Sequence, residues 1–195
     1  MTNSTHNATG RAKMGMTLHA RQGLVENAIA RGTWLVEFYR PKRSGTLALF
    51  DVDEFDNIVV NEGRDHLLDV TLSGATQDTT WFVGLTDGTP TVAAADTQDS
   101  HAGWVEVTAY SEANRIAWVD GGVSAQSVDN SGTPASFSIN GSTTVGGAFL
   151  VGDNTKGSAS PAVNVLYAAG AFSGGDRSLQ NLDTIDVTAT MTMSG

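Results

Sequence analysis

The chain has 195 residues, a net charge of −10 and no cysteine. The absence of cysteine excludes a disulfide framework and any thiolate metal site, and it suits a protein that folds in a reducing cytoplasm. No stretch approaches the ~18 consecutive apolar residues of a membrane span, so we expect no membrane partner.

The charges are divided unevenly along the chain. Residues 1–45 contain seven Lys and Arg against two Asp and Glu, whereas residues 46–195 contain four against nineteen. The basic part can be attracted to nucleic acid or to an acidic protein surface, whereas the acidic part should be repelled by phosphates. The division predicts a basic arm on an acidic body, and a plain solvated tail is the alternative interpretation.

Residues 1–32 are predicted to form this basic N-terminal arm. Residues 1–19 are polar and follow no sustained period, as in segments that become ordered only on a partner. Within residues 20–30, apolar side chains recur at helical spacing and predict a short helix that Gly32 would end. These side chains are Leu24, Val25, Ala28 and Ile29.

A β-hairpin is predicted next, from a strand at residues 33–40, a turn at 41–45 and a return strand at 46–50. The first strand is amphipathic, because alternate residues are apolar and are expected to face inward. These inward residues are Trp34, Val36 and Phe38.

An extended piece at residues 55–60 and a helix at residues 61–72 are predicted to follow the hairpin. Asn61 can cap the helix through its side chain. The helical period places three leucines on the inward face, which are Leu67, Leu68 and Leu72.

After residue 79, short β-branched and aromatic runs alternate with turns of Gly, Asn, Asp and Ser. Their spacing of about ten residues predicts a mainly β fold, an antiparallel sandwich or jelly-roll-like barrel, as a single domain over residues 33–195. The predicted strands are 80–86, 103–110, 115–119, 123–128, 135–140, 145–151, 163–172 and 184–193. Residues expected to be mostly buried are Trp34, Phe38, Trp81, Val83, Leu85, Trp104, Trp118, Phe137, Phe149 and Phe172.

The common catalytic templates do not fit this sequence. No Gly-x-Ser-x-Gly pentad is present, residues 152–158 have the wrong order for a phosphate loop, and residues 51–56 lack the glycine of a calcium loop. The four histidines are too far apart to form a zinc pair. His101, near Asp99, is expected to be a loop histidine rather than an acid–base catalyst. We therefore expect no enzyme activity, cofactor or metal.

Several phrases spread over residues 34 to about 190 resemble a family of small structural virion proteins of tailed bacteriophages. The first thirty residues do not take part in the resemblance. The phrases are WLVEFYRP (34–41), FDNIVVNEG (55–63), WFVGL (81–85), SHAGWVE (100–106), YSEANR (110–115), GAFL (147–150) and AGAFSGGD (169–176).

This resemblance implies a head-decoration, or cement, protein that binds and stabilises a phage capsid. The implied partners are the major capsid protein and further copies of the chain, as a homotrimer, with no nucleic acid. The implied location is the outer surface of the virion, after synthesis in the cytoplasm of a bacterial host. We expect the basic side chains near the N-terminus to contact the capsid, and these are Arg11, Lys13, Arg21, Arg31, Arg40, Lys42 and Arg43.

A tail- or fibre-associated module that binds host-surface carbohydrate is the alternative function. Its basis is the set of four tryptophans, because aromatic faces stack on sugar rings. Each tryptophan lies within a predicted strand among apolar neighbours, so core packing is the expected role of at least three of them.

Overall fold

The computed structural model describes residues 29–157 and 164–194 of the chain. Within these residues the fold is mainly β, with one short α-helix, α1 (Asn61–Leu68), continued by a π-helical turn (Asp69–Ser73). The strands are β1 (Ile29–Pro41), β2 (Leu47–Asp56), β3 (Ile58–Val59), β4 (Trp81–Thr86), β5 (Ile116–Trp118), β6 (Ser127–Asp129), β7 (Ala135–Ser138), β8 (Thr143–Val145), β9 (Gly147–Val151), β10 (Leu166–Ala171), β11 (Arg177–Leu179) and β12 (Thr184–Ser194).

The strands form two main antiparallel sheets. The first sheet has the order β2–β1–β12–β6, and β7 also pairs with β12. The second sheet has the order β3–β10–β9–β4–β5, and β8 pairs with β11 as a separate ribbon. This arrangement confirms the predicted mainly β, antiparallel fold class.

Strand β1 has the predicted hairpin geometry and the predicted alternation. Trp34, Val36 and Phe38 are fully buried on its inner face, and a tight turn connects β1 to β2. The strand begins at Ile29, four residues before the predicted start, and its first residue pairs with Ser194 of β12. The prediction of a helix over residues 20–30 is therefore wrong for its last two residues, and its other residues lie outside the described part.

The two sheets pack face to face around one apolar cluster. Trp34 of the first sheet and Val83 of the second both belong to this cluster. The indole Nε1 of Trp118, in the second sheet, donates a hydrogen bond of 3.1 Å to the carbonyl of Ala189, in the first. The predicted buried set is confirmed except for Trp81, which is only partly buried.

The outer face of the second sheet is covered by the connection between β4 and β5. The ring of Phe149 lies over Gly84, where a Cβ atom would come within 2.1 Å of that ring, and Trp104 packs on Phe149. The predicted strand at 103–110 is wrong, because this segment makes only two isolated bridges. Its buried positions are three residues apart rather than two, at Trp104, Val107 and Tyr110.

The region between β5 and β7 also differs from prediction. The predicted strand at 123–128 is largely a turn, because Ala125 and Gln126 have positive φ angles of 48° and 59°. Only the short β6 pairs with β12 here. Strand β11 was absent from the predicted set, and it pairs with β8 over three residues.

Helix α1 packs through a glycine rather than through its leucines. A Cβ atom on Gly63 would lie 2.4 Å from the carbonyl oxygen of Tyr167, so the helix approaches β10 closely at this point. Leu68 and Leu72 are exposed, which corrects the predicted inward face. Asn61 is the first helical residue and not a side-chain cap. Neither helical segment of the described chain has the length and apolarity needed to cross a bilayer.

Asn130 completes the hydrogen bonding of β12 between its two short partners. Strand β6 pairs with residues 190–192 of β12 and β7 with residues 184–187. The buried side chain of Asn130 donates to the carbonyl of Val187 at 3.0 Å and accepts from the amide of Ala189 at 2.7 Å. One side-chain amide thus stands in for the backbone of a neighbouring strand.

Replacing Asn130 by alanine should therefore destabilise the body strongly. Both backbone groups of β12 would remain buried without partners, so we expect the free energy of unfolding to fall by about 2–4 kcal/mol. Urea denaturation followed by circular dichroism measures this, with Asn140→Ala as the control because Asn140 is exposed. Equal stability of the two variants would contradict the assigned role.

Candidate interaction surfaces

Strand β2 has an inverted distribution of polar and apolar side chains. The inversion covers the first part of the strand, where the inward row carries the carboxylates of Asp51 and Asp53 opposite the buried Phe38 and Val36 of β1, whereas the next inward residue, Phe55, is buried in the core. Up to Val52, its outward row and the bulge within the strand carry large apolar side chains that are about half exposed, and the outward row then continues with Glu54 and Asp56. Together with Leu35 of β1 they form what we call the edge patch: Leu35, Leu47, Leu49, Phe50 and Val52.

The edge patch lies on the border of the first sheet. Strand β2 has ten residues and is the outermost strand, and no other described strand pairs with its outer side. A long edge strand with exposed apolar side chains is normally protected in a monomer, because its free backbone groups and apolar surface attract other chains. The edge patch is therefore a candidate contact surface for another protein chain.

An ionic cluster beneath β2 compensates for the buried carboxylate of Asp53. Asp53 accepts hydrogen bonds from the amide and hydroxyl of Ser173 at 2.9 and 2.8 Å, from the amide of Gly174 at 2.9 Å and from Arg177 at 2.9 Å. The guanidinium of Arg177 also contacts Asp51. Burial acts to raise the pKa of Asp53, but these hydrogen bonds and the nearby positive charge outweigh it and hold the pKa below its ordinary value.

A second apolar surface lies between the helical segments and the adjoining ends of β6 and β12. It is an open groove of about 520 Å³, and its walls include Leu72 and Val123, whose exposed fractions are 77% and 79%. We call it the apolar groove. Its lining residues are Leu67, Leu68, Thr71, Leu72, Val123, Gln126, Ser127, Val128, Tyr167, Met191, Thr192 and Met193.

A cavity of about 310 Å³ continues the apolar groove and has a more polar lining. Trp81 packs edge-on against His66 and Tyr167, with ring centroids 5.5 and 5.4 Å apart. Asp78 and Asp120 also line this polar cavity. Burial raises the pKa of the Tyr167 hydroxyl, which therefore stays protonated near neutral pH.

The seven cations predicted to contact a partner do not form one surface in the described structure. Arg11, Lys13 and Arg21 lie outside the described residues. Arg31 is exposed near the start of β1, opposite Thr192. Lys42 and Arg43, together with Arg40, are grouped near the hairpin turn, about 35 Å away along a strand that rises ~3.3 Å per residue.

Arg40 is engaged inside the protein. Its Nε and Nη2 atoms donate to the two carboxylate oxygens of the buried Asp183 at 2.8 and 2.6 Å. Its guanidinium carbon also lies 4.5 Å from the centroid of the Phe50 ring. Lys42 and Arg43 are exposed in the turn, so they are the accessible cations at this end of the body.

A buried ion pair between Arg115 and Glu106 has charged groups of the kind found in binding sites, but its role here is to connect loops. Arg115 donates to both oxygens of Glu106 at 2.9 and 2.8 Å and lies 3.6 Å from Asp153. Glu106 also accepts a hydrogen bond of 2.6 Å from the amide of Gly157. The pair thus joins three loops, and its donors and acceptors are directed at one another.

His101 is part of the cavity of about 350 Å³ beside this ion pair. Its ring stacks on Trp104 with centroids 3.7 Å apart, and its Nδ1 lies 3.2 Å from the carbonyl oxygen of the same residue. This is the predicted loop histidine bonded to a neighbouring turn. In residues 29–157 and 164–194, no three His, Asp or Glu side chains are grouped as metal ligands.

Lys156 is also held by the body. Its ammonium donates to the carbonyls of Tyr110 and Glu112 at 2.8 and 2.6 Å and to that of Thr108 at 3.3 Å. It lies 4.2 Å from the centroid of the Tyr110 ring. Arg115 and Arg177 are paired with carboxylates inside the body, so three of the four cations after residue 45 are engaged internally, whereas the fourth, Arg64, is exposed on α1 and contacts Asn61.

Sequence reasoning identified the basic residues but missed the edge patch and the apolar groove. The signal for the edge patch was the run LALFDVDEFD, in which carboxylates occupy the face expected to be apolar. No known protein family, curated protein or solved structure matches this chain.

The ionic cluster beneath β2 predicts a pH-dependent stability. The pKa of Asp53 in the folded chain is below the ordinary 3.8, so its stabilisation is present above that value and is lost as pH falls through the lower, folded pKa. We expect Asp53→Asn to lower the free energy of unfolding by about 2 kcal/mol near neutral pH, and by progressively less below about pH 4.

Denaturant unfolding between about pH 7 and pH 2 measures this difference. Glu54→Gln is the matched control, because Glu54 is the exposed neighbour on the same strand. A stability difference for Asp53→Asn that is the same at neutral and acidic pH would contradict the prediction.

Proposed function

We propose that this chain is a structural virion protein, a decoration or cement protein that binds the outer surface of a tailed-phage capsid and bridges neighbouring capsid subunits. The observation that supports it most is the inverted strand β2, which buries Asp53 and exposes the edge patch. Leaving the apolar side chains of the edge patch exposed does not stabilise a monomer, whereas a protein that joins an assembly can bury them in a contact with its neighbour. The resemblance of several phrases to small structural virion proteins of tailed phages supports a phage capsid as the assembly.

The edge patch is large enough to contribute usefully to binding. Full burial of a Leu, Val or Phe side chain stabilises by about 1.5–3 kcal/mol, so covering a half-exposed one contributes about 1 kcal/mol. The patch contains five such side chains. A capsid presents many equivalent binding sites. A decoration protein that contacts two neighbouring capsid subunits at once can therefore bind tightly even if each contact alone is weak.

The charges of the chain support a protein partner rather than nucleic acid. Of the cations after residue 45, only Arg64 is exposed, whereas this part of the chain contains nineteen Asp and Glu, so the outer surface of the acidic body repels phosphates. Except for Arg64, the cations available to a partner lie in the first 43 residues. The proposed partner is the major capsid protein, contacted by Arg11, Lys13, Arg21, Arg31, Lys42 and Arg43, with Arg40 supporting the turn from inside.

We propose a homotrimer as the form seated on the shell. Exposed sheet edges are commonly covered by copies of the same chain around a symmetry axis. A local three-fold position of a capsid offers three equivalent neighbours. In this arrangement the edge patch of each copy is covered by the next copy or by the capsid subunit beneath it.

A charge introduced into the edge patch should weaken capsid binding without unfolding the protein. We expect Leu47→Lys to weaken binding to capsids assembled without this chain by at least about tenfold, because Leu47 lies opposite Pro41 rather than a carboxylate, and a desolvated unpaired charge costs more than 1.4 kcal/mol. Val105→Lys is the matched control, since Val105 is exposed away from the patch. Co-sedimentation with capsids measures binding, and equal binding of both variants would remove the edge patch from the proposal.

A reconstruction of the virion tests the proposal as a whole. Density for this chain on the outer surface of the head, at local three-fold positions, is the expected result. Reversing the charges of Arg11 and Lys13 should also lower the salt-sensitive part of capsid binding. Density on the tail, or absence of the chain from purified virions, would overturn the proposal.

A tail- or fibre-associated module that binds host-surface carbohydrate is the second candidate. The polar cavity favours it, because an aromatic ring, Trp81, lies beside the carboxylates of Asp78 and Asp120. Glycan-array binding that is lost in Asp78→Asn, together with density on the tail, would favour this candidate over the first.

A further inference from the structure

The apolar groove opens where the described chain begins. Ala30 of β1 lies opposite Met193 of β12, and Met193 lines the groove. The same wall continues into Gln126, whose carbonyl accepts a hydrogen bond of 2.9 Å from the amide of Met193. The described chain therefore begins at the mouth of the groove.

The groove requires an apolar occupant. Most of its lining residues are apolar, and Leu68, Leu72 and Val123 are exposed to solvent along it. Leaving several such side chains exposed together is unusual outside a contact site. An occupant with two adjacent branched apolar side chains would cover them.

We propose that Leu24 and Val25 of the same chain occupy the apolar groove. They are the apolar pair nearest to Ile29, with one charge, Glu26, between them and the strand. The five residue steps from Leu24 to Ile29 span at most about 17 Å when extended. This length is enough to cross the groove, because Met193 in its wall lies opposite Ala30, the residue that follows Ile29.

A docking segment from the same chain is favoured over one from a second copy. A segment tethered by a few residues has an effective concentration in the millimolar range at its seat, whereas a second copy must arrive from solution. Ile29, where the described chain begins, also lies beside the groove. Only the few residues between Val25 and Ile29 would therefore have to become ordered when the segment docks. The anchor would hold the base of the basic arm against the body while Arg11 and Lys13 precede it in the chain.

Engineered cysteine pairs test this in the full-length protein, because the chain has no cysteine of its own. In Leu24→Cys/Leu72→Cys, we expect mild oxidation to give an intramolecular disulfide in most molecules. The control is Leu24→Cys/Leu47→Cys, in which Leu47 lies at the far end of the hairpin, opposite Pro41. That site is about 40 Å from Ile29 along β1, beyond the reach of the tether, so we expect at least tenfold less intramolecular product.

The possible products give distinct answers. Monomers with the disulfide in the first pair alone support docking within one chain. Disulfide-linked dimers of the first pair would overturn it in favour of a second copy. Similar yields from both pairs would overturn it altogether.

A stability measurement provides a second test that needs no cysteine. We expect Leu24→Ser/Val25→Ser to lower the melting temperature by a few degrees, since the groove would lose its apolar cover. Met14→Ser/Met16→Ser, a paired change elsewhere in the arm, should leave it unchanged. Equal melting temperatures for all three proteins would overturn the docking. Both tests use the isolated protein, so their outcome is independent of the proposed binding to capsids.

Discussion

The carboxylate of Asp53 is the interaction on which the shape of this body depends. It is buried at the border of the sandwich, where it accepts four hydrogen bonds from Ser173, Gly174 and Arg177. These bonds tie the first sheet to the loop that follows β10, which closes the open side between the sheets. Because Asp51 and Asp53 fill the inward positions at this border, Leu49 and Val52 of β2 face outward, whereas Phe55 completes the core. An apolar residue at position 53 would also fill the space at the edge of the sandwich. It could not, however, hold the loop of Ser173 and Gly174 or orient the guanidinium of Arg177.

Much of the fold follows from local pattern, and the exceptions have physical causes. The alternation of Trp34, Val36 and Phe38 predicted β1 and its inner face, because one face of that strand meets a single apolar layer. The segment at 103–110 misled the same reasoning, since Trp104 packs on the outside of the second sheet while Val107 enters the core between the sheets. Because its apolar residues pack in two different layers of the protein, they do not alternate as the residues of a single strand would.

The interaction surfaces were harder to predict than the core. The basic residues could be named from the sequence, but their engagement could not, because Arg40 and its partner Asp183 are 143 residues apart. The apolar groove was hidden by the expectation that the leucines of the helix face inward. That expectation was wrong because Gly63 makes the close contact with β10, so that Leu68 and Leu72 lie on the exposed side of the helical segments. Long-range pairing and close backbone approach therefore decided where apolar surface remained exposed.

The placement of the four tryptophans gives the protein an internal optical reporter. Trp34, Trp104 and Trp118 are buried, whereas Trp81 is partly accessible beside the trough formed by the polar cavity and the apolar groove. A neutral collisional quencher such as acrylamide will therefore reach Trp81 before the other three. The quenched fraction of the native emission reports whether that trough is open or filled, in the unlabelled protein and in the presence of any candidate partner.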